Sequence, residues 1–240
     1  MISTGVDAAV AMLLQPVLAA AFDHARREGV TMVIGCGSPG VPLAPDGGRM
    51  LVIPALGPDT PPAWALDRIG SSHAVGLLDR SEAVAMRQAR PDAPAVLVGL
   101  PQPERGERTH GLDMGDVPEY LDVAWAEVEG DVPHDGPGVT WIRGTGSVPV
   151  ARAVVAWAEG RAVVALPGTM RHPLLRAGGV LQAESPLDAI EATTFVRQNA
   201  ALVSALSARG RAASTTLPTR EQAAERLREA IVLVASGGPG

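Results

Sequence analysis

Twice along this chain, short apolar runs alternate with stretches whose apolar residues recur at helical spacing. No other feature of the sequence restricts the fold as much. Residues 6–28 have helical spacing, with Arg26 and Arg27 near their end and Gly29 as a stop. Residues 31–34 and 50–54 read as strands, 61–69 and 81–88 as helices, and 95–99 as a third strand. The alternation resumes later: 139–142, 162–166 and 180–181 read as strands, and 149–159, 168–176, 185–209 and 219–231 as helices. Thr219 is placed to cap the last helix, with Gln222 in the capping-box position. Strands separated by helices pair in parallel, because each crossover returns the chain to the same edge. An α/β fold with parallel sheets is therefore expected.

Residues 101–138 interrupt this pattern with Pro, Gly and charge. From 113 to 135 there are eight acidic residues and no Arg. The stretch reads as a linker or irregular lobe with a helix at 118–128 and a solvated acidic face. The expected organisation is an N-terminal α/β lobe over 1–104, an acidic linker or irregular lobe over 105–138, and a second α/β lobe over 139–240.

Composition narrows the chemistry. Hydrophobic residues make up 46% and charged residues 19%, as in a globular chain. With four Trp, two Phe and one Tyr, the core has to come from Ala, Val and Leu. The 20 Lys+Arg positions are all arginine. That excludes Schiff-base chemistry, pyridoxal phosphate anchoring and a P-loop lysine. A net charge of −6 argues against general nucleic-acid binding. Cys36 is the single cysteine, so no intramolecular disulfide and no cysteine zinc cluster is expected. The apolar stretch over 8–22 contains Gln15 and Pro16 and reads as too short and interrupted to span a bilayer. Asp7 and the lack of a preceding positive charge argue against a signal peptide, so a cytoplasmic location is expected.

Several short motifs are candidates for binding. Arg143-Gly144-Thr145-Gly146-Ser147 lies between a strand and a helix. Its glycines let backbone approach a ligand, and Ser147 is placed to cap a helix that Pro149 helps to start. Free N–H groups at a helix start favour a phosphate, with Arg143 and Arg152 available for charge-assisted bonds. An ordinary capped turn uses the same residues, and both readings stay open. Pro167-Gly168-Thr169-Met170-Arg171-His172 is a second turn of this kind. In a doubly wound sheet both turns lie at the carboxyl edge, where ligands bind. Residues 35–40 match G-x-G-x-x-G, but Pro42, Pro45 and Gly47-Gly48 follow where a dinucleotide site needs a helix. A loop is the better reading there, with Cys36 a buried or incidental thiol. Asp131, His134 and Asp135 read as an exposed acidic loop in preference to a metal site. His24 and His73 read as helix-surface residues.

The second half of the chain resembles the nucleotide-binding domain of GT-B glycosyltransferases, in particular the family-4 type. The resemblance rests on the helix, Gly turn and strand from Val148 through Gly160-Arg161-Ala162-Val163-Val164 to Ala165. It extends through Leu174-Leu-Arg-Ala-Gly-Gly-Val-Leu181, the helix start at Ser185-Pro-Leu-Asp-Ala-Ile190, Ser207-Ala-Arg-Gly-Arg211 and the last helix. It covers roughly residues 139–232. It implies two Rossmann-like lobes with parallel sheets, the first reduced, and a last helix that crosses back to the first lobe. It also implies a cytoplasmic transferase that moves a sugar from a nucleotide sugar to a hydroxyl acceptor. The donor would be held by Arg143, Gly144, Gly146, Ser147, Arg152, Gly168, Thr169, Arg171 and His172. His110, in the basic stretch 105–110, is the candidate base for the acceptor hydroxyl. Arginines and helix dipoles would neutralise the diphosphate, so neither metal nor resident cofactor is expected. A homodimer or protein partner fits the same picture. The family's Glu-x7-Glu positions fall on Ser147 and Val155, neither acidic. That leaves open a non-catalytic GT-B-like partner or regulator. A Rossmann-type oxidoreductase using 35–40 is a third reading.

Overall fold

The computed structural model describes residues 2–3, 7–34, 48–54, 72–89, 91–92, 94–103, 138–144, 146–169 and 172–237. The expectations for the loop at 35–40, the helices at 61–69 and 118–128, the acidic run, His110 and Arg171 lie outside these residues. The chain is α/β with two parallel sheets and divides into two units. The first comprises Met1–Gln102, Gly146–Val148 and Leu217–Gly240; the second comprises Pro103–Thr145 and Pro149–Thr216.

In the first unit, β1 (Ile2–Ser3), β2 (Val30–Ile34), β3 (Arg49–Ile53), β4 (Ala74–Leu77) and β5 (Ala95–Leu97) pair in that order, all parallel. The middle strands β2, β3 and β4 are almost continuously buried. That is why β2 and β3 read as largely apolar runs and not as alternation. Helix α1 (Ala8–Arg27) starts at Asp7, whose carboxylate accepts the Ala9 N–H at 3.0 Å. It ends among His24, Arg26 and Arg27, cations that suit the negative end of a helix dipole. The stretch expected to be too short for a bilayer thus runs 20 residues, long and apolar enough to cross one by length and composition. Here its buried stripe, from Ala9 and Leu13 through Val17 to Ala21 and Ala25, packs on β2 and on the last helix of the chain. Helix α2 (Glu82–Ala89) follows β4. Buried Glu82 turns back to accept the N–H groups of Leu78 at 2.8 Å and Asp79 at 3.3 Å, which fixes the strand-to-helix turn.

In the second unit, β6 (Val139–Ile142), α3 (Ser147–Ala158), β7 (Ala162–Ala165), α4 (Pro173–Ala177) and β8 (Leu181–Gln182) alternate, and the strands pair in parallel in the order β6-β7-β8. Helices α5 (Pro186–Arg197) and α6 (Ala200–Ser214) pack against β7. Their core joins Val139, Val164, Leu166, Ala189 and Val196, with Trp141 at its margin, whose indole N–H donates to Thr193 Oγ1 at 2.7 Å. Helix α7 (Arg220–Ala235) belongs to the first unit, where it packs on α1 and on β2 to β5. Its capping box forms as expected: Thr219 accepts the Gln222 N–H, and Gln222 accepts the Thr219 N–H.

Three further expectations need correction. The strand at 95–97 is the fifth and not the third. The four-residue β4 was hidden by Gly76, a residue that weakens strand patterns. A Cβ there would stand 2.9 Å from Ile53 Cγ1, so the sheet needs the glycine for packing. The helix expected over 168–176 begins only at Pro173, because His172 caps it: Nδ1 accepts the Leu174 N–H at 3.1 Å. The long helix expected over 185–209 is two helices, parted where Asn199 turns its side chain onto the Leu202 N–H at 3.1 Å. Among the described residues the first unit's sheet has five strands and the second unit's three.

Candidate functional site

Parallel pairing puts every post-strand turn of the second unit at one sheet edge, the position where α/β sheets bind ligands. Both sheets run in simple sequence order, so the described strands form no reversal of winding direction and no crevice of the doubly wound kind.

The turn after β6 has Gly144 at φ 102° and Gly146 at φ 78°, conformations that favour glycine. Arg143 is exposed and Arg152 half-buried. Ser147 is the first residue of α3 and fully buried, but its Oγ has no hydrogen-bond partner, so the expected cap does not form. In the turn after β7, Gly168 has φ 84° with open space around it. Thr169 is buried and faces inward. Its hydroxyl meets the carbonyls of Leu166 at 2.7 Å and Ile142 at 3.1 Å, tying the ends of β6 and β7 together. Among the described donor candidates, His172 lines a cavity.

That cavity has a volume of about 880 Å3 and is lined by Ala165, His172, Arg176, Gln182, Glu184 and Arg209, among others. Its size suits a small organic ligand. Ala165 ends β7 and Gln182 ends β8, so the cavity opens beside the carboxyl ends of these strands. The Ala183 N–H continues the ladder to the Ala165 carbonyl at 2.8 Å, fixing the backbone just before Glu184.

The cationic wall is assembled by one aromatic ring. Trp157, 1% exposed, lies between Gly178, just past α4, and Gly210 in α6. A Cβ on Gly178 would stand 2.3 Å from the indole, and one on Gly210 2.2 Å. The two glycines let α4 and α6 close over the ring from different sides. Their neighbours are thereby brought together: Arg176 and Ala177 from α4, and Arg209 from α6. Arg209 Nε donates to the Ala177 carbonyl at 2.9 Å, and its other guanidinium N–H groups remain for the cavity. His172, accepting at Nδ1, carries its proton on Nε2 when neutral. Among the described residues Glu184 forms no ion pair, and no group of three or more His, Cys, Asp or Glu is arranged to hold a metal.

Arg176, Gln182, Glu184 and Arg209 were not among the expected site residues. Arg176 and Arg209 do lie in the stretches 174–181 and 207–211 that carried the family resemblance. Glycine-rich turns mark residues 143–147 in the sequence, whereas the wall depends on glycines that make room for a tryptophan. No protein-family model matches the chain, and comparisons with curated proteins and with solved structures return no match.

Proposed function

We propose that this is a GT-B-like protein whose second unit binds a nucleotide sugar and passes the sugar to a hydroxyl acceptor in the cytoplasm. The observation that carries the reading is the cavity beside β7 and β8, with Arg176, Arg209 and His172 converging on one space. Guanidinium groups suit a diphosphate because their N–H groups match two oxygens at once. A second reading, a binding protein without transferase activity, draws on Ser147 and Val155. The family's paired acids fall at these positions, and here they are fully buried and carry no carboxylate.

Titration calorimetry of the full chain with UDP-glucose, GDP-mannose, UDP and GDP tests the proposal. Arg209→Ala is expected to weaken binding by about 1.5–3 kcal/mol, as for a lost bond to a charged group. A saturating donor at about 100 times its dissociation constant should add roughly 2.7 kcal/mol to stability. Absence of binding to all four compounds would remove the proposal. Binding without release of nucleoside diphosphate in the presence of acceptors would favour the second reading.

A further inference from the structure

We infer that Glu184 selects a hydroxyl-bearing ligand in this cavity, so that the ligand is read at two points, an anion on the arginines and hydroxyls on the carboxylate. The inference rests on the anion-binding reading of the cavity. Glu184 is the one carboxylate among the described lining residues. It lies between two fixed points. Ala183 is buried and bonded into the sheet, and Ser185 caps α5 by accepting the Asp188 N–H at 3.1 Å. The Glu184 N–H itself donates to Asp188 Oδ2 at 3.2 Å, so the backbone that carries the exposed side chain is held beside the cavity. Its carboxylate pairs with neither Arg176 nor Arg209, although all three line the same space.

A negative group in an otherwise cationic cavity repels a bare phosphate. It favours binding only when the ligand brings donors of its own, since an ionised carboxylate accepts hydrogen bonds and donates none. Hydroxyls supply such donors, and a carboxylate takes two of them side by side. The chemistry that fits is a phosphorylated polyol, with hydroxyls contributed by the ribose or by the transferred sugar.

The test is titration calorimetry of the full chain and of Glu184→Gln with pyrophosphate, UDP, GDP, UDP-glucose and GDP-mannose. Glutamine keeps the shape and removes the charge and one acceptor. The expected result is a crossing of effects. Affinity for the hydroxylated ligand falls about ten- to a hundred-fold, while affinity for pyrophosphate is unchanged or higher. A loss already present with UDP or GDP assigns the ribose, and a loss confined to the nucleotide sugars assigns the transferred sugar. Equal loss for all ligands, or loss for none, overturns the inference and leaves the anion site standing. Binding of pyrophosphate alone by the wild type does the same. If the wild type binds nothing, both the inference and the functional reading fall.

Discussion

At the scale of single residues, Gly210 carries the heaviest constraint. Replacing an exposed helix-interior glycine by alanine ordinarily stabilises a protein by up to about 1 kcal/mol. Here the added methyl would meet the Trp157 ring at 2.2 Å, and the ring cannot yield because Gly178 faces it from another side. Overpacking of this kind costs roughly 1–3 kcal/mol or more, so the sign reverses. Gly210→Ala is expected to lower the urea midpoint without changing the slope. Combined with Trp157→Leu, its further cost should be smaller than in the wild type, because the two positions share one contact. An additive pair would mean that the ring and the glycine are not coupled. None of this is visible in the sequence, where Gly210 reads as an unremarkable weak point in a helix. The reason for the glycine lies more than fifty positions away in the chain.

At the scale of elements, side chains at the helix ends set the boundaries. The apolar periodicity runs without a break from α5 into α6, and no glycine or proline stands between them. What parts the helices is Asn199, the only asparagine in the chain, through its bond to the Leu202 N–H. Asn199→Ala should cost about 1 kcal/mol, and Asn199→Asp should keep most of the cap. Equal stability of all three in thermal unfolding would refute this role. The start of α7 was legible because Thr219 and Gln222 form a local pattern, and the parallel α/β class was legible because period and run length are local too. Four-residue β4 escaped because Gly76 interrupts its apolar run. Glu221, in the first turn of α7, is held below the usual carboxylate range. The causes are a hydrogen bond to its own backbone, one to the Thr219 side chain, and the charge of Arg220. A lowered value means that the ionised form favours the fold. Its small contribution is present above the ordinary carboxylate range and disappears as pH falls through the lowered value. The stability difference between wild type and Glu221→Gln, followed from neutral pH into acid, should therefore close at low pH. A difference that persists there would rule out the charge as its source.

At the scale of the whole molecule, the first unit is discontinuous in sequence. Its sheet is complete by Leu97, but α7 supplies Ala223, Ala224, Leu227, Ala230, Ile231 and Val234 to its buried core. Stopping the chain after Thr216 should unfold the first unit, with loss of amide protection in β2 to β4, while β6 to β8 stay protected. Protected β2 to β4 in the truncated chain would show that α7 is dispensable. The contacts between α1 and α7 join residues some two hundred positions apart, and no local pattern reveals such a partnership. The same connectivity governs how the protein is born. At roughly 5–20 residues per second, the ribosome takes on the order of ten seconds to pass from β5 to the end of α7. Throughout that interval the parallel strands of the first unit have already emerged while the helix that covers them does not yet exist. The nascent chain thus carries an apolar sheet that still lacks its α7 cover for most of synthesis.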